Sequence, residues 1–208
     1  MRIVVTPENM QEALAKAAKV LRDGGIVAFP TDTVYGVGAL VFLEDAVEKL
    51  FQAKMRNRGR AIPVLLGHVR ELNRVARNIP PAAWQLAGAF WPGALSMVVE
   101  KSPLVPGVVT GGGPTVAVRI PDHRLALKLI ERTGAPLATT SANISGRPSP
   151  VTADEVEASL GEAIDLLLDG GPCPGGTAST VIDLTMSPPK IVRSGPIRWK
   201  DMEPLLSV

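Results

Sequence analysis

The stretch GIVAFPTDTVYGVGA, residues 25–39, contains the change of pattern that indicates an α/β fold. Its first half is a short apolar run that predicts a buried strand ending at Pro30. Its second half is rich in hydroxyl groups and small residues, and it predicts a turn that begins at Thr31. Polar groups are therefore expected at the carboxyl end of a buried strand.

Helical patterns flank this stretch on both sides. Residues 7–22 place apolar side chains on one stripe, with Thr6 as the N-cap, Pro7 at the first helical position and glycines after the end. Residues 43–51 repeat apolar side chains at the spacing of a second amphipathic helix. That helix leads directly into the basic run KMRNRGR, residues 54–60, so the basic run is predicted to be a helix exit.

Strands and helices continue to alternate beyond the basic run, and strands dominate the end of the chain. Further helices are predicted in PPAAWQLAGAFW, HRLALKLIERTG, ADEVEASLG and WKDMEPLL, and Thr152 with Glu155 forms a predicted capping box. Strands are predicted in AIPVLLG, GALSMVVEK, TVAVRIP, APLATT, AIDLLLDG, STVIDLT and KIVRS. The pattern predicts an α/β fold with a twisted, mixed β-sheet flanked by helices, in one domain that spans residues 1–208.

Composition narrows the class of protein. The 208 residues are 46% hydrophobic, which is enough for one well-filled core. The formal net charge is only +2, so affinity for phosphates would have to come from local clusters of cations. The single cysteine, Cys173, excludes an internal disulfide, and the start MRIVVTPENM lacks the pattern of a secretory signal. No apolar run approaches the length of a membrane span, so we expect a cytoplasmic protein without a membrane partner.

The basic run is the first candidate site. Lys54, Arg56, Arg58 and Arg60 occupy alternate positions directly ahead of the predicted strand AIPVLL. Alternate residues of an extended chain face the same side, so we expect all four cations to point one way. Arginine binds phosphate oxygens with two parallel hydrogen bonds, which favours a phosphate site. A solvated basic loop is the alternative.

The second candidate is TTSANISGRPSP, residues 139–150, where hydroxyl and amide groups follow a predicted strand. Open α/β sheets bind ligands outside the carboxyl ends of strands, and small hydroxyls with free backbone N–H groups bind anions. The alternative is a turn whose serines bond to their own backbone.

The third candidate is the turn after Pro30, where Thr31, Asp32, Thr33 and Tyr35 precede two glycines. It matches neither the P-loop nor the complete dinucleotide-binding template, so a nucleotide would have to be held in another way. The alternative is a tight turn that needs the dihedral angles of glycine.

The remaining reactive residues form no recognisable site. Neither histidine lies near Cys173 in a sequence pattern that is typical of a cysteine nucleophile, and two histidines with one cysteine cannot form a protein-rich zinc site.

Arg119 and Arg193 end strands rich in β-branched residues. A cation at such a position either prevents the sheet edge from pairing with another strand or faces inward as a ligand group, and both interpretations stay open. The carboxylates show no spacing of a magnesium cage, so a metal would be carried on substrate phosphates. These carboxylates are Asp32, Asp122, Asp165, Asp169 and Asp183.

Seven motifs in order carry a resemblance to a known family. They are FPTDTVYGVGA, Lys54-x-Arg56, WPGALSMVV, TVAVRIPDH, TTSANISGRPS, GGPCPGGTASTVIDL and IVRSGPI. Together they resemble the YrdC family, the threonylcarbamoyl-AMP synthases of tRNA modification, over nearly the whole chain. The resemblance implies a twisted α/β sheet around a large basic cavity.

The resemblance also implies a nucleotidyltransferase reaction. L-threonine, bicarbonate and ATP would give L-threonylcarbamoyl-adenylate and pyrophosphate. Downstream tRNA threonylcarbamoyl-transferase proteins would use this product to modify adenosine 37 of tRNAs that read ANN codons, and tRNA or double-stranded RNA is a further expected partner. Mg²⁺ would arrive with the ATP phosphates.

Site residues are carried over from the family's motifs. The signature tetrad, expected to be catalytic, falls on Lys54, Arg56, Ser141 and Asn143. The implied L-threonine contacts are Thr33, Arg119, Thr139 and Ser179, with Tyr35 as a wall of the pocket. The implied ATP contacts are Arg56, Arg60, Thr115, Ser141, Ser149 and Arg193.

The chain departs from the family's pattern in the basic run. Asn57 and Ala61 stand where the family often has proline, and Arg58 is an additional cation, which leaves the path of the loop and the role of Arg60 open. The chain ends soon after Arg193 and resembles the single-domain form. Two alternatives stay open: a module that binds tRNA or double-stranded RNA without chemistry, and a relative of the same fold that acts on another small molecule. The absence of aromatic residues from the basic run argues against the first.

Overall fold

The structure, a computed structural model, describes residues 1–174 and 177–206. Ten strands form one sheet: β1 (Arg2–Val4), β2 (Val27–Phe29), β3 (Gly36–Leu40), β4 (Val64–Leu65), β5 (Leu95–Glu100), β6 (Thr115–Arg119), β7 (Leu137–Ser141), β8 (Leu166–Asp169), β9 (Thr180–Asp183) and β10 (Lys190–Arg193). The helices in the described part are α1 (Met10–Arg22), α2 (Glu44–Ala53), α3 (Leu72–Val75), α4 (Pro81–Phe90), α5 (Gly107–Thr110), α6 (Arg124–Thr133), α7 (Ala153–Leu160) and α8 (Trp199–Met202).

The sheet is mixed, and its strand order differs from the chain order. From one edge to the other the strands follow the order β1, β8, β2, β3, β7, β4, β6, β5, β9, β10. Four neighbouring pairs are parallel and five are antiparallel. The predicted α/β fold with a twisted, mixed sheet is confirmed.

Helices cover both faces of the sheet and give it two cores. In β2, Val27 and Phe29 belong to the smaller core, beneath α1 and α6, whereas Ala28 between them belongs to the larger core on the opposite face. This alternation follows from the two-residue repeat of a strand. The larger core also takes in apolar side chains of α2, α4 and α7. The smaller core extends along the sheet to Leu65 and Leu137.

Several predicted helix boundaries are confirmed. The capping box of α7 is present: Thr152 Oγ1 accepts from the Glu155 amide at 3.3 Å, and Glu155 Oε2 accepts from the Thr152 amide at 3.2 Å. At the end of α6, Gly134 takes the left-handed conformation with φ 74°. The start of the first helix was predicted wrongly. It begins at Met10, because Thr6 and Asn9 bond to each other's amides through their side chains and residues 7–9 form turns.

The predicted turn after Pro30 is shorter than expected, because Gly36–Leu40 is the buried strand β3. Gly36 and Gly38 are paired with Ser141 and Thr139 of β7. A Cβ atom on Gly36 would lie 2.8 Å from Thr139 Cγ2, and one on Gly38 would lie 2.9 Å from Thr139 Oγ1. The two glycines are therefore needed for close approach to Thr139. Two further differences are β1, which carried no strand signal, and β4, which is reduced to two residues.

Candidate functional site

A cavity of about 330 Å³ lies over the sheet face that also carries the smaller core. Sheet register explains which residues form its floor. Val64, Met97, Val118 and Ala138 belong to the larger core and are paired across β4, β5, β6 and β7. Their neighbours along the strands must face the opposite side. Those neighbours, which line the cavity, are Leu65, Ser96, Arg119 and Thr139.

Eight of the residues expected from the family's motifs line this one cavity. They are Thr33, Arg56, Arg119, Thr139, Ser141, Ser149, Ser179 and Arg193. They come from segments as distant in the chain as the turn after β2 and the end of β10. The lining residues include three arginines and, among the described residues, no aspartate or glutamate. Such a surface attracts anions.

Arg119 occupies the end of β6 and is held from three directions. Its Nε donates to the Gly93 carbonyl at 2.8 Å, and its Nη1 donates to Thr33 Oγ1 at 3.2 Å. Its Nη2 pairs with the Asp32 carboxylate at 2.5 Å, with side chains that are 8% and 14% exposed. Burial lowers the pKa of Arg119, and Asp32 opposes that shift. Of the two interpretations left open, the inward-facing one applies to Arg119.

Arg193, at the end of β10, lines the same cavity and is bound to Ser179. Its Nε donates to the Ser179 carbonyl at 2.9 Å, and its Nη2 donates to Ser179 Oγ at 2.9 Å. The hydroxyls of Ser179 and Ser96 lie 2.8 Å apart. Partial burial lowers the pKa of Arg193, and its charge lowers the pKa of Arg119 as well. The two arginines therefore repel each other across the cavity, and an anion between them would relieve that repulsion.

The basic run is not extended, and the expectation that its four cations face one way was wrong. After α2 the Arg56 amide bonds to the Phe51 carbonyl at 2.9 Å, and the Met55 amide bonds to the Gln52 carbonyl at 3.1 Å. These two bonds and the positive φ of Met55, 50°, form the Schellman turn that ends many helices. The turn sends successive side chains in different directions.

Each cation of the run consequently has its own environment. Arg56 lines the cavity, and its Nη2 donates to the Ala61 carbonyl at 2.8 Å. Arg58 is exposed and pairs with Glu48 of α2 at 2.9 Å, which matches the solvated alternative. Arg60 is exposed, and its carbonyl accepts from Arg56 Nε at 3.4 Å. Lys54 turns inward and is 1% exposed.

Lys54 and Asn143 lie beside the cavity, and neither lines it. The ammonium of Lys54 donates to the main-chain carbonyls of Ser141 and Asn143. Burial, reinforced by the charge of Arg56, lowers the pKa of Lys54 to about 8. The Asn143 side-chain amide donates to the carbonyls of Ile144 at 2.8 Å and Arg147 at 2.7 Å. Both side chains therefore bind the backbone of the segment that follows β7.

Two other predicted contacts also lie apart from the cavity. Tyr35 is fully buried in the larger core, where its hydroxyl donates to the Gly171 carbonyl at 2.7 Å, and burial raises its pKa. Thr115 starts β6, four residues before Arg119, and lines a separate cavity with Asn78 and Glu100. Extended chain advances about 3.3 Å per residue, so Thr115 lies roughly 13 Å from Arg119.

Sequence comparisons identify the family to which this arrangement belongs. The family model Sua5/YciO/YrdC, described as telomere recombination, matches residues 19–195. The chain belongs to the Sua5/YciO/YrdC family. A threonylcarbamoyl-AMP synthase from Pyrococcus abyssi is 45% identical over 205 residues, which cover 98% of this chain and 60% of that protein. A relative from Mycobacterium tuberculosis H37Rv is 38% identical over 202 residues, covering 97% of this chain and 93% of that protein.

A solved structure of the Sua5/YciO/YrdC family matches the whole chain. P. abyssi Sua5 complexed with L-threonine superposes with a TM-score of 0.94 at 42% identity, over 100% of this chain and 60% of that one. The chain therefore spans about three fifths of the length of this relative. That relative binds L-threonine, as its complex states.

The sequence named no role for two residues of the Sua5/YciO/YrdC cavity, Ser96 and Leu65, and named Thr31 only within the candidate turn after Pro30. Thr31 lines the cavity and bonds through Oγ1 to the Thr33 hydroxyl at 3.0 Å and to the Val34 carbonyl at 2.6 Å. Ser96 is buried in β5, where a small polar residue between Leu95 and the apolar run Met97–Val99 was the available signal. Leu65 carried no signal, because an apolar residue in a strand is expected in a core.

The other candidates of the sequence do not join this Sua5/YciO/YrdC site. Cys173 is buried, and burial raises its pKa to about 11. Within residues 1–174 and 177–206, no group of three or more His, Cys, Asp or Glu side chains is placed to hold a metal ion. No helix in those ranges combines the length and apolar character of a membrane crossing. Gly175 and Gly176 of the motif GGPCPGGTASTVIDL lie outside the described residues.

Proposed function

We propose that this protein synthesises L-threonylcarbamoyl-adenylate from L-threonine, bicarbonate and ATP, with release of pyrophosphate. The observation that carries the proposal is the convergence of Arg56, Arg119 and Arg193 on one hydroxyl-lined cavity. All three substrates are anionic or carry an anionic group, so the site must hold negative charges close together. The match to a threonine complex of a relative over the whole chain supports threonine as the amino acid.

The reaction depends on positioning and charge. The threonine amine combines with bicarbonate, losing water, to give a carbamate. An oxygen of the carbamate attacks the α-phosphorus of ATP, and the bond from that phosphorus to the bridging oxygen of pyrophosphate breaks. Two anions approach each other, so fixed cations and ordered donors lower the barrier. No covalent intermediate with the protein is required.

Residue roles follow from the contacts. Arg119, held by Gly93, Thr33 and Asp32, offers its remaining donor capacity to the threonine carboxylate. Arg56 and Arg193 attract the phosphates, and Ser141 donates near the transferring group. Since Ser179 bonds to Arg193 and also to Ser96, it connects the amino-acid side of the cavity with the nucleotide side.

Magnesium is proposed as a companion of ATP. Carboxylate oxygens and phosphate oxygens are its usual ligands. The described residues hold no cluster of three acidic, histidine or cysteine side chains, so phosphates would supply most of the coordination. When bound, the ion neutralises phosphate charge and makes pyrophosphate a better leaving group.

A module that binds RNA without chemistry is not favoured, since a relative that matches nearly the whole chain is named a synthase. Use of the product by downstream tRNA-modifying proteins stays a proposal, as does binding of tRNA. Phosphate-driven RNA binding would weaken steeply with salt and would be indifferent to threonine.

The decisive experiment supplies ATP and labelled bicarbonate with and without L-threonine, followed by chromatography. We expect a labelled, adenylated product only when threonine is present. Release of pyrophosphate that is independent of threonine would contradict the proposed function and leave only a nucleotide site.

A further inference from the structure

The signature tetrad divides into two pairs in this structure. Arg56 and Ser141 line the cavity, whereas Lys54 and Asn143 do not. We propose that Lys54 is a positioning residue that holds the loop of residues 141–145, here called the SAN loop, so that Ser141 faces the cavity. Lys54 would thus act through the SAN loop without touching a substrate. The hydrogen bonding of Lys54 to the SAN loop is here called the clamp. Its effect on ATP binding rests on the proposed function, whereas the clamp itself does not.

Lys54 forms hydrogen bonds to both ends of the SAN loop. Its side chain is 1% exposed, and its ammonium donates to the carbonyls of Ser141 and Asn143 at the start of the SAN loop. Its own main-chain carbonyl accepts from the Ser145 amide at 2.9 Å, at the end of the loop. One residue therefore binds the SAN loop at both ends.

The turn after α2 sets the directions of the Lys54 and Arg56 side chains. Lys54 is the C-cap of α2, and the left-handed conformation of Met55 reverses the chain immediately behind it. This geometry turns Lys54 towards the SAN loop and places Arg56 at the cavity. The spacing of the Lys-x-Arg motif thus separates one cation for the backbone from one for the ligand.

Asn143 supplies independent support for the same loop. Its side-chain amide bonds to the carbonyls of Ile144 and Arg147. Two other buried polar atoms of the loop, Asn143 Oδ1 and Ser145 Oγ, have no hydrogen-bond partner. The loop therefore does not satisfy all of its polar groups internally, and the Lys54 ammonium is the side-chain donor to its carbonyls at Ser141 and Asn143.

Hydrogen bonding to the SAN loop and an ionic contact to phosphate depend differently on the protonation state of Lys54. The clamp uses two N–H donors, and a neutral amine still has two. A contact to phosphate needs the positive charge, which Lys54 loses as the pH rises through its pKa of about 8. The charged group that acts on Lys54 is Arg56, and its partners in the SAN loop are neutral carbonyls. ATP affinity of the wild type should therefore show no loss that centres near that pH.

The first test measures amide hydrogen exchange in the ligand-free protein. In Lys54→Met we expect exchange at Asn143 and Ser145 to rise about ten- to hundredfold, as loss of hydrogen bonds from a charged donor predicts, with exchange inside α2 unchanged. Arg58→Met is the matched control from the same basic run and should leave the SAN loop unaffected. Unchanged exchange in Lys54→Met would overturn the proposal. If Lys54→Met does not fold, the ATP affinity of the wild type at pH 7 and pH 9 decides instead, and an affinity that falls with the charge of Lys54 would overturn the proposal.

The second test measures the dissociation constant of ATP without threonine, for the wild type, Lys54→Met, Ser141→Ala and the double variant. A positioning role predicts that the double variant binds ATP no more weakly than the weaker single variant, and that wild-type affinity is the same at pH 7 and pH 9. Multiplied effects of the two substitutions, or an affinity that falls with the charge of Lys54, would overturn it. Absence of ATP binding by the wild type would instead contradict the proposed function, and hydrogen exchange would still decide the clamp.

Discussion

At the scale of single residues, the site is built from cations held by unlike partners. Arg119 has a carboxylate partner in Asp32, whereas Lys54 is bound by carbonyls and takes part in none of the ion pairs of residues 1–174 and 177–206. A buried pair and a buried single charge affect stability differently. Through the resemblance, the sequence predicted eight of the residues that line the cavity. It did not predict the direction of Lys54, because a single left-handed residue, Met55, sets that direction.

The burial of Lys54 should appear in the pH dependence of stability. Its folded pKa of about 8 lies below its unfolded value of roughly 10.4, so the folded state binds fewer protons between these values. The cost of burying the charge is fully present below pH 8 and is relieved as the pH rises towards 10.4. We expect the free energy of unfolding of the wild type, relative to Lys54→Met, to increase by about 3 kcal/mol from pH 7 to pH 10.5. Urea unfolding of both proteins across this pH range measures the difference in the free energy of unfolding. A difference that does not change with pH would contradict the prediction.

The buried pair should respond to removal of its acid. Asp32→Ala leaves Arg119 buried without its counter-charge, and we expect a loss of about 3 kcal/mol in the free energy of unfolding together with a raised KM for threonine. The exposed pair of Lys19 and Asp23 has the same separation of 2.5 Å, so Asp23→Ala is the matched control and should cost less than about 1 kcal/mol. Equal losses of unfolding free energy in the two variants would show that burial does not make the Arg119–Asp32 pair more important for stability than an exposed pair.

At the scale of elements, amphipathic helices were predicted well and short strands poorly. The helix α6 and the capping box of α7 carry local signals, so the sequence alone locates them. The strand β1 has three residues, and β3 contains two glycines whose spacing to Thr139 depends on a partner strand distant in the chain. Such strands are fixed by tertiary pairing, which local patterns do not report.

The turn after α2 gives a prediction at this scale. Met55 is 79% exposed and has φ 50°, a conformation that costs a side-chain-bearing residue about 1 kcal/mol. Met55→Gly should raise the free energy of unfolding by roughly 0.5–1 kcal/mol, because glycine is the favoured residue at this position of a Schellman turn. Urea denaturation provides the measurement, and Met55→Ala, which keeps the Cβ atom, should show no such gain. A gain in both variants would mean that strain in the backbone is not the cause.

At the scale of the whole molecule, the sheet order assembles the site. The mixed α/β class was predicted from the alternation of patterns, whereas the order of ten strands was not, because register depends on pairings between distant segments. That order places Ser96 of β5, Arg119 of β6 and, beyond β4, Thr139 of β7 on one face of the sheet. Thr115 lies at the opposite end of β6 from Arg119, where it lines a separate cavity.

The proposed function requires that threonine-dependent adenylate synthesis takes place in the arginine-lined cavity. Its most direct test is the rate of threonine-dependent pyrophosphate release by Arg56→Ala, compared with Arg58→Ala from the same basic run. Arg56 lines the cavity, whereas Arg58 pairs with Glu48 at the surface. We predict a loss of about a hundredfold in kcat/KM for Arg56→Ala and an unchanged rate for Arg58→Ala, with both variants folded. Full activity of Arg56→Ala, or equal losses in the two variants, would contradict the account.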